Sequence, residues 1–442
     1  MNFFVFILAQ PMMNNNHPMG FPRACLKSGK GGEKKTFFSY AFGDETQKKP
    51  KEVEMESNTE SGRVFDVGSL YALFCELEDK RKARGKRYLL ATILTLLVLA
   101  KLCGEDKPSG IAEWAKHRTE LLCEILRLER KAMPHRSSYQ RILESVVSWE
   151  AMEHVVSTFL SGKRFFGKQV LVAIDGKVLR GTLDEQRNGV YLLAAYLPSE
   201  GLVLMEVAVN GQGHEIEAAP RLLKSIDLRE KVVMGDALHT QKTVSIQIVE
   251  AGGHYIWFAK GNQPQLEEDL RLWFGPDPAP IPGMSYPPKD FETAQSVNKG
   301  HGRLETRTLT VSSQLKDFLD WPYLEQVFKL ERHVISTKTS KIQEQVVYGC
   351  TSLSRENITP QKLLDLIRSY WGIENGLHYR RDVTLHEDHA RITKSNAARA
   401  MACLNNLVIA LVIAKKKYRY LPSARRYFAA HPSQALALIT RL

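Results

Sequence analysis

Three acidic residues occupy positions from which their side chains could hold metal ions. Asp175 lies in Ile-Asp-Gly-Lys and Asp236 in Gly-Asp-Ala-Leu-His-Thr-Gln, and each aspartate ends an apolar run typical of a strand. Glu374 lies far downstream in Trp-Gly-Ile-Glu-Asn, within a helical pattern. Two divalent ions held by such acids can activate a water or a 3′-hydroxyl and stabilise the leaving oxygen of a phosphodiester. These residue types therefore point to metal-dependent phosphodiester chemistry.

The charge of the chain agrees with a nucleic-acid partner. Lys and Arg number 61 against 49 Asp and Glu, which gives a formal net charge of +12 over 442 residues. A basic balance favours an anionic polymer as partner, although many proteins of such charge bind none. The hydrophobic content of 43% and charged content of 25% are those of an ordinary globular protein.

Cysteine usage and hydropathy predict a cytoplasmic protein without a membrane segment. The six cysteines are scattered, with no Cys-x-x-Cys pair and no Cys/His spacing of a zinc site. The apolar run at the N-terminus has no basic residues before it, so it makes a poor signal peptide. The longest apolar stretch, residues 88–102, contains Lys101 and is too short to span a bilayer.

The elements that position the three acids follow a helical region. Residues 1–62 are rich in polar residues and Gly, which predicts a disordered segment or an extension upstream of the natural start. From 63 to 162, apolar residues recur at helical spacing, as at Leu70, Leu73 and Phe74. We expect an all-α N-terminal domain, whose basic residues either meet DNA or form a solvated face.

Residues 163–415 predict an α/β catalytic domain of the ribonuclease-H-like class. Its predicted elements are strands at 170–174, 190–196 and 202–209, a helix at 215–226, a strand at 232–234, a helix at 241–250 and a strand at 255–259. A Rossmann alternation would lack the opening three-strand meander and would show a glycine fingerprint. In the ribonuclease-H-like order the middle of the first strand lies beside the end of the fourth, so Asp175 and Asp236 should be neighbours and share hard cations.

A β-rich insertion separates these elements from Glu374. A Pro-rich stretch at 276–282 cannot continue a helix, and the insertion, at about 274–360, shows strand-like runs at 305–311, 331–336 and 345–350. Helices are predicted at 363–380 and 397–413, and residues 416–442 form a basic C-terminal tail.

The third acid is less well defined by pattern than the two aspartates. Tyr370, Trp371 and His378 share the helix face of Glu374 at three- or four-residue spacing. The alternative is a surface glutamate paired with a nearby cation. Rival third acids from the same segment are Asp382, Glu387 and Asp388.

Five residues are candidates for contacts with a phosphate backbone. They are Lys177, Arg180, Lys260, His378 and Arg381. Each loop lysine or arginine could equally be solvated, and His378 could be a hydrogen-bonded structural histidine. Trp371 is more often a core residue than a platform for base stacking.

An ordered set of motifs covers residues 65–415. The motifs are Asp175–Thr182, His214–Ile216, Gly235–Gln241, Ala259–Gln263, Gly300–Arg307, Tyr370–His378, Glu387–Arg391 and the pair Asn405–Asn406. Together they resemble the bacterial H-repeat-associated (ISAs-type) transposases, a family of DDE insertion-sequence transposases. Related transposases carry a Tyr-Arg-Glu-Lys signature around the glutamate. Here Arg381 stands at the lysine position, and Ile367 and Tyr370 stand where tyrosine and arginine would be.

The resemblance implies a function and a site. Asp175, Asp236 and Glu374 would be the catalytic, metal-binding triad, with Mg²⁺ or Mn²⁺ as cofactor. The protein would cleave the DNA ends of its element and join the 3′-hydroxyls to target DNA, as a homo-oligomer in a synaptic complex. The alternatives are a metal-dependent nuclease without strand transfer, or a degenerate DNA-binding remnant of such an element.

Overall fold

The computed structural model describes residues 69–161, 169–186, 188–277, 287–300, 302–390, 392–414, 418 and 420–440. All of them fall in one compact unit, Val64–Leu442. The predicted disordered segment, residues 1–62, lies outside the described residues, as do parts of the predicted basic tail.

Nine strands form a single sheet. They are β1 (Val170–Leu179), β2 (Val190–Leu197), β3 (Leu202–Val209), β4 (Lys231–Met234), β5 (His254–Ala259), β6 (Glu292–Gly300), β7 (Arg303–Ser312), β8 (Gln326–Ser336) and β9 (Ile342–Thr351). Their spatial order is β3-β2-β1-β4-β5-β9-β8-β7-β6.

The described helices flank and precede this sheet. The α-helices are α1 (Leu70–Cys75), α2 (Leu90–Leu102), α3 (Pro108–Lys116), α4 (Thr119–Ile125), α5 (Arg136–Arg141), α6 (Trp149–Ser161), α7 (Glu215–Lys224), α8 (Lys242–Glu250), α9 (Pro264–Trp273), α10 (Pro360–Tyr370), α11 (Ser395–Ala414), α12 (Leu421–Ala430) and α13 (Pro432–Thr440).

The first five strands confirm the predicted fold class. β1, β2 and β3 pair antiparallel, whereas β4 pairs parallel with β1 and β5 parallel with β4. Helices α7 and α8 make the connections that parallel pairing requires. This is the ribonuclease-H-like order, and it comes after a helical N-terminal region, α1 to α6.

The strands of the β-rich region extend the same sheet. β9 pairs antiparallel with β5, and β8, β7 and β6 follow in turn. Three of these four strands coincide with the predicted runs, whereas β6 was not predicted. Its residues Glu292–Gly300 are mostly polar and exposed, so the apolar alternation that indicates a strand is missing.

Alternate residues of the central strands pack against different helices. Leu171, Val232 and Ile256 belong to a cluster with residues of α10, whereas Val172 and Val233 belong to the main core with the other helices. That main core includes α2 and α11, so the N-terminal helices and the sheet share one hydrophobic interior.

Two regions depart from the sequence predictions. The predicted helix 363–380 is regular only to Tyr370, after which π-helical segments Ile373–His378 and Arg380–Thr384 continue it. The predicted basic tail contains α12 and α13, and Arg425 of α12 is buried, where it donates to the carbonyl oxygen of Lys101.

One described helix, α11, is long and apolar enough to cross a membrane. However, 83% of its most apolar window is buried inside the protein, where it packs against α6, β3 and α2. Its apolar surface is therefore used in the core.

Candidate metal centre

The register of the sheet places Asp175 beside Asp236. The last residues of β1 and β4 that pair with each other are Ala173 and Met234, and each aspartate lies two residues further along the chain. Asp236 then caps a short 3₁₀ turn, with its Oδ1 accepting from the backbone N–H of Leu238 at 3.0 Å. The turn fixes the side chain beside the end of the strand.

Glu374 reaches the same place from a π-helical segment. The ligand atoms of Asp175, Glu374 and His378 all lie within 4.8 Å of one another. His378 Nδ1 is 3.6 Å from Asp175 Oδ2 and 3.7 Å from Glu374 Oε2. π-Helical turns are rare and are frequent at functional sites. Here the π-helical turn carries both Glu374 and His378 to Asp175 in the middle of β1.

The carboxylates are close enough to perturb one another. Burial raises the pKa of Asp175 well above its usual range, and the charges of Glu374, Asp236 and Glu215 raise it further. Burial together with the same four carboxylates raises the pKa of the Tyr370 phenol. The imidazole of His378 lowers the pKa of Glu374 below its ordinary value. The four carboxylates therefore concentrate negative charge around Asp175.

The donor set fits a divalent cation. Carboxylate oxygens are the ligands that Mg²⁺ and Mn²⁺ prefer, and Mg²⁺ needs only a few protein ligands because it keeps several waters. A bound cation would also relieve the repulsion that raises the pKa of Asp175. Among the described residues, Asp175, Glu374 and His378 offer ligand atoms close enough together for one ion, and the charge of Asp236 reaches Asp175.

The rival acids downstream of Glu374 are engaged elsewhere. Lys177 Nζ lies 2.7 and 2.8 Å from the two carboxylate oxygens of Asp382 and 3.7 Å from Asp388. Glu387 Oε1 lies 2.9 Å from the Arg381 guanidinium. Of the acids in this segment, the structure brings Glu374 to Asp175.

The five predicted phosphate contacts differ in exposure. The Lys177 side chain is only 8% exposed and is held by its ion pairs, whereas Arg180 is 60% exposed, with Nε 3.3 Å from Asp388. Lys260 is exposed on the loop after β5. That loop is tied to the turn of Asp236, because Gln263 Nε2 donates to the carbonyl oxygen of Thr240 at 2.9 Å. His378 is buried among the acids.

The structure corrects the expectation for Arg381. Its side chain is fully buried and forms ion pairs with Glu206 on β3 and with Glu387. A guanidinium with two carboxylate partners in the interior compensates their charge and has no solvent-facing surface for DNA. Arg381 therefore acts as an interior counter-ion.

Glu215 is an acid of this site that the sequence prediction missed. It begins α7, and both burial and the charge of Asp236 raise its pKa to about 7. The motif His214–Ile216 marked its position, but no spacing rule connects that motif to Asp175, because the contact forms only when α7 folds back along the sheet.

Comparison with known proteins agrees with the fold and with the acidic site. The family model described as "Transposase DDE domain" matches residues 166–411, and a model described as "DDE_Tnp_1-associated" matches residues 71–160. The H repeat-associated putative transposase YhhI of Escherichia coli (strain K12) is 26% identical over 351 residues, which cover 78% of this chain and 90% of that relative.

Two further similarities differ in coverage. The "Uncharacterized protein in dhlA 3'region" of Xanthobacter autotrophicus is 31% identical over 261 residues, which cover 58% of this chain and 84% of that protein. A solved piggyBac transposase synaptic complex with hairpin DNA aligns at a TM-score of 0.39 and 12% identity, over 85% of this chain and 80% of that one.

Proposed function

The chain belongs to the transposase DDE-domain family, and from that premise we propose that it cleaves the DNA ends of an insertion sequence and joins their 3′-hydroxyls to target DNA. The observation that supports this most is the approach of Glu374 to Asp175, beside the end of β4 where Asp236 also lies. Three acids from distant segments then face one position, as metal-dependent phosphodiester chemistry requires.

The residues of the site have different roles in this proposal. We propose that Asp175, Asp236 and Glu374 hold two metal ions, which are Mg²⁺, with Mn²⁺ as a substitute. When bound, the metal supplies charge stabilisation for the leaving oxygen and makes the attacking hydroxyl more acidic. His378 lies between Asp175 and Glu374 and orients both carboxylates. The exposed Arg180 and Lys260 bind the phosphate backbone beside the site.

The proposal extends to assembly and location. Transposases act on DNA, and joining two element ends to one target requires that both ends be held together. We therefore propose that the protein works as a homo-oligomer with DNA. It would do so in the bacterial cytoplasm, bound to the nucleoid.

The test is cleavage and joining of labelled DNA that carries the element ends. Asp175→Asn, Asp236→Asn and Glu374→Gln should each reduce Mg²⁺-dependent cleavage by about 10³-fold, because metal-held charge stabilisation supplies several kcal/mol. The products are separated on a denaturing gel, and circular dichroism verifies that each variant is folded.

The control is Asp227→Asn, an exposed aspartate before β4 that pairs with Arg229. It should cleave at the wild-type rate. Cleavage retained by Asp175→Asn would contradict the site, and inactivation by Asp382→Asn with an active Glu374→Gln would move the third acid. Cleavage without joined products would instead indicate a nuclease.

A further inference from the structure

A fourth carboxylate, that of Glu215, lies against the strand residue next to Asp175. A Cβ atom built on Gly176 would be 2.2 Å from Glu215 Oε1 and 2.5 Å from Oε2, and both distances are too short for a contact of a real Cβ atom. Only glycine at this position lets the carboxylate contact the backbone of β1 as it does here. The contact joins the first residue of α7 to the residue that follows Asp175.

The charge of Glu215 is not balanced by a basic side chain. Among the described residues, neither Lys nor Arg forms an ion pair with it, and its ionic contact is with His239 at 3.8 Å. The charge of Glu215 contributes to the raised pKa of Asp175, and the charge of Asp236 contributes to the raised pKa of Glu215. An uncompensated, half-buried carboxylate beside two others is costly unless a cation is bound.

A buried histidine faces the space between Glu215 and Asp236. His239 is 1% exposed, and neither of its ring nitrogens has a hydrogen-bond partner among the described residues. Its Nε2 lies 3.8 Å from Glu215 Oε2 and 4.0 Å from Asp236 Oδ1. A ring nitrogen without a hydrogen-bond partner is available to a metal ion or to a water on it.

We propose that Glu215 is a fourth ligand of the metal centre. It would hold one divalent cation together with Asp236, at the position that His239 Nε2 faces. Asp175 and Glu374 would hold the other. This inference rests on the proposed function, because it assumes that the acids bind metal, and it assigns the second ion to a residue outside the triad.

The test counts Mn²⁺ ions bound to the full chain, from the electron paramagnetic resonance signal of free Mn²⁺ during a titration. The wild type should bind two ions. Glu215→Gln should lose one of them or bind it about 10–100-fold more weakly. The matched control is Glu217→Gln on the same helix, since the Glu217 side chain is 69% exposed. It should bind as the wild type does.

Thermal unfolding separates a ligand from a merely structural residue. In EDTA, Glu215→Gln should melt at a higher temperature than the wild type, because one of the repelling charges is gone. With Mn²⁺ its stabilisation should be smaller, because fewer ions bind the folded state. A structural role would lower the melting temperature in both conditions. Glu215→Asp keeps the charge with a shorter reach, so it should weaken Mn²⁺ binding without the gain in EDTA.

The outcomes distinguish this inference from the proposed function. The fourth ligand alone would be overturned if Glu215→Gln bound as many Mn²⁺ ions as the wild type, with the same affinity, while Asp175→Asn bound fewer. Unchanged Mn²⁺ binding in Asp175→Asn and Glu374→Gln, or no binding by the wild type, would overturn the metal centre itself and with it the proposed function.

Discussion

Next to the metal centre, individual buried carboxylates differ in how their charge is compensated. Arg381 forms ion pairs with Glu206 and Glu387, and Asn406 donates to Glu206 at 3.0 Å. Glu153 of α6 is 4% exposed and accepts the backbone N–H of Glu206 at 2.9 Å. Burial, and then the charge of Glu206, raise the pKa of Glu153 to about 8. The raised pKa favours the protonated form of Glu153 in the folded protein at neutral pH.

Replacing Glu153 by glutamine should make the protein less sensitive to alkaline pH. The unfolded chain releases the Glu153 proton near pH 4.5, whereas the folded protein keeps it to about pH 8. The stability that this group contributes is thus complete below the lower value and is lost as the pH rises through the higher one. Glu153→Gln keeps the acceptor oxygen and avoids that loss.

The measurement is urea unfolding of both proteins at about pH 5 and about pH 8.5. The free energy of unfolding of Glu153→Gln should improve relative to the wild type by roughly 3 kcal/mol between these values. Glu150→Gln, an exposed position on α6, serves as the control and should show no such change. An equal difference at both pH values would mean that Glu153 is ionised in the fold.

At the scale of elements, the join between β5 and β9 connects the two halves of the sheet. Gly349 of β9 pairs with Phe258 on one side and with Phe328 of β8 on the other. The two phenyl rings meet edge to face, with their centroids 6.0 Å apart. A Cβ atom at Gly349 would lie 2.2 Å from the carbonyl oxygen of Trp257 and 2.3 Å from the Phe328 ring. The glycine permits this close approach.

Gly349→Ala should therefore destabilise the protein by about 1–3 kcal/mol, because the added methyl group must displace backbone or the Phe328 ring. The effect is measured as the free energy of unfolding in urea. Gly300→Ala, also in a strand of this sheet, meets nothing within 4 Å and should be close to neutral. Equal stability of the two variants would show that the join between β5 and β9 can open without cost.

At the scale of the whole molecule, the surplus of 61 basic over 49 acidic residues should govern DNA affinity. Part of this positive charge is not available, since Arg381, Arg425 and Lys177 are buried in ion pairs. Arg180 and Lys260 remain exposed near the acids. The electrostatic potential at the site thus depends on a few exposed residues rather than on the net charge.

Binding of the full chain to a labelled duplex should weaken linearly in log–log form as salt rises, because bound cations release counterions from the DNA. Arg180→Ala and Lys260→Ala should each reduce the slope by about one. Fluorescence anisotropy at several salt concentrations gives the slope. Lys338→Ala, an exposed residue of the turn between β8 and β9, is the control. The same slope in all four proteins would exclude these two residues from the DNA surface.

The sequence alone was sufficient for the fold class and for the pairing of Asp175 with Asp236. Their strands are short apolar runs bounded by turn signals, and such runs reflect local burial that is visible in one segment at a time. Once the strand order is known, the middle of the first strand and the end of the fourth are neighbours. The motif order then identified the family. The polar, exposed β6 escaped prediction because it buries little apolar surface.

Only the tertiary structure decided which other side chains join those two aspartates. The acids Glu374, Asp382 and Asp388 lie within fifteen residues of one another and look alike in sequence, yet Glu374 meets Asp175 whereas Asp382 and Asp388 pair with Lys177. Arg381, from the same segment, is buried against Glu206. Glu215, the first residue of α7, contacts Gly176 of β1. Such contacts depend on π-helical turns and on helices packing over strands far apart in the chain, and local sequence patterns carry no record of those long-range distances.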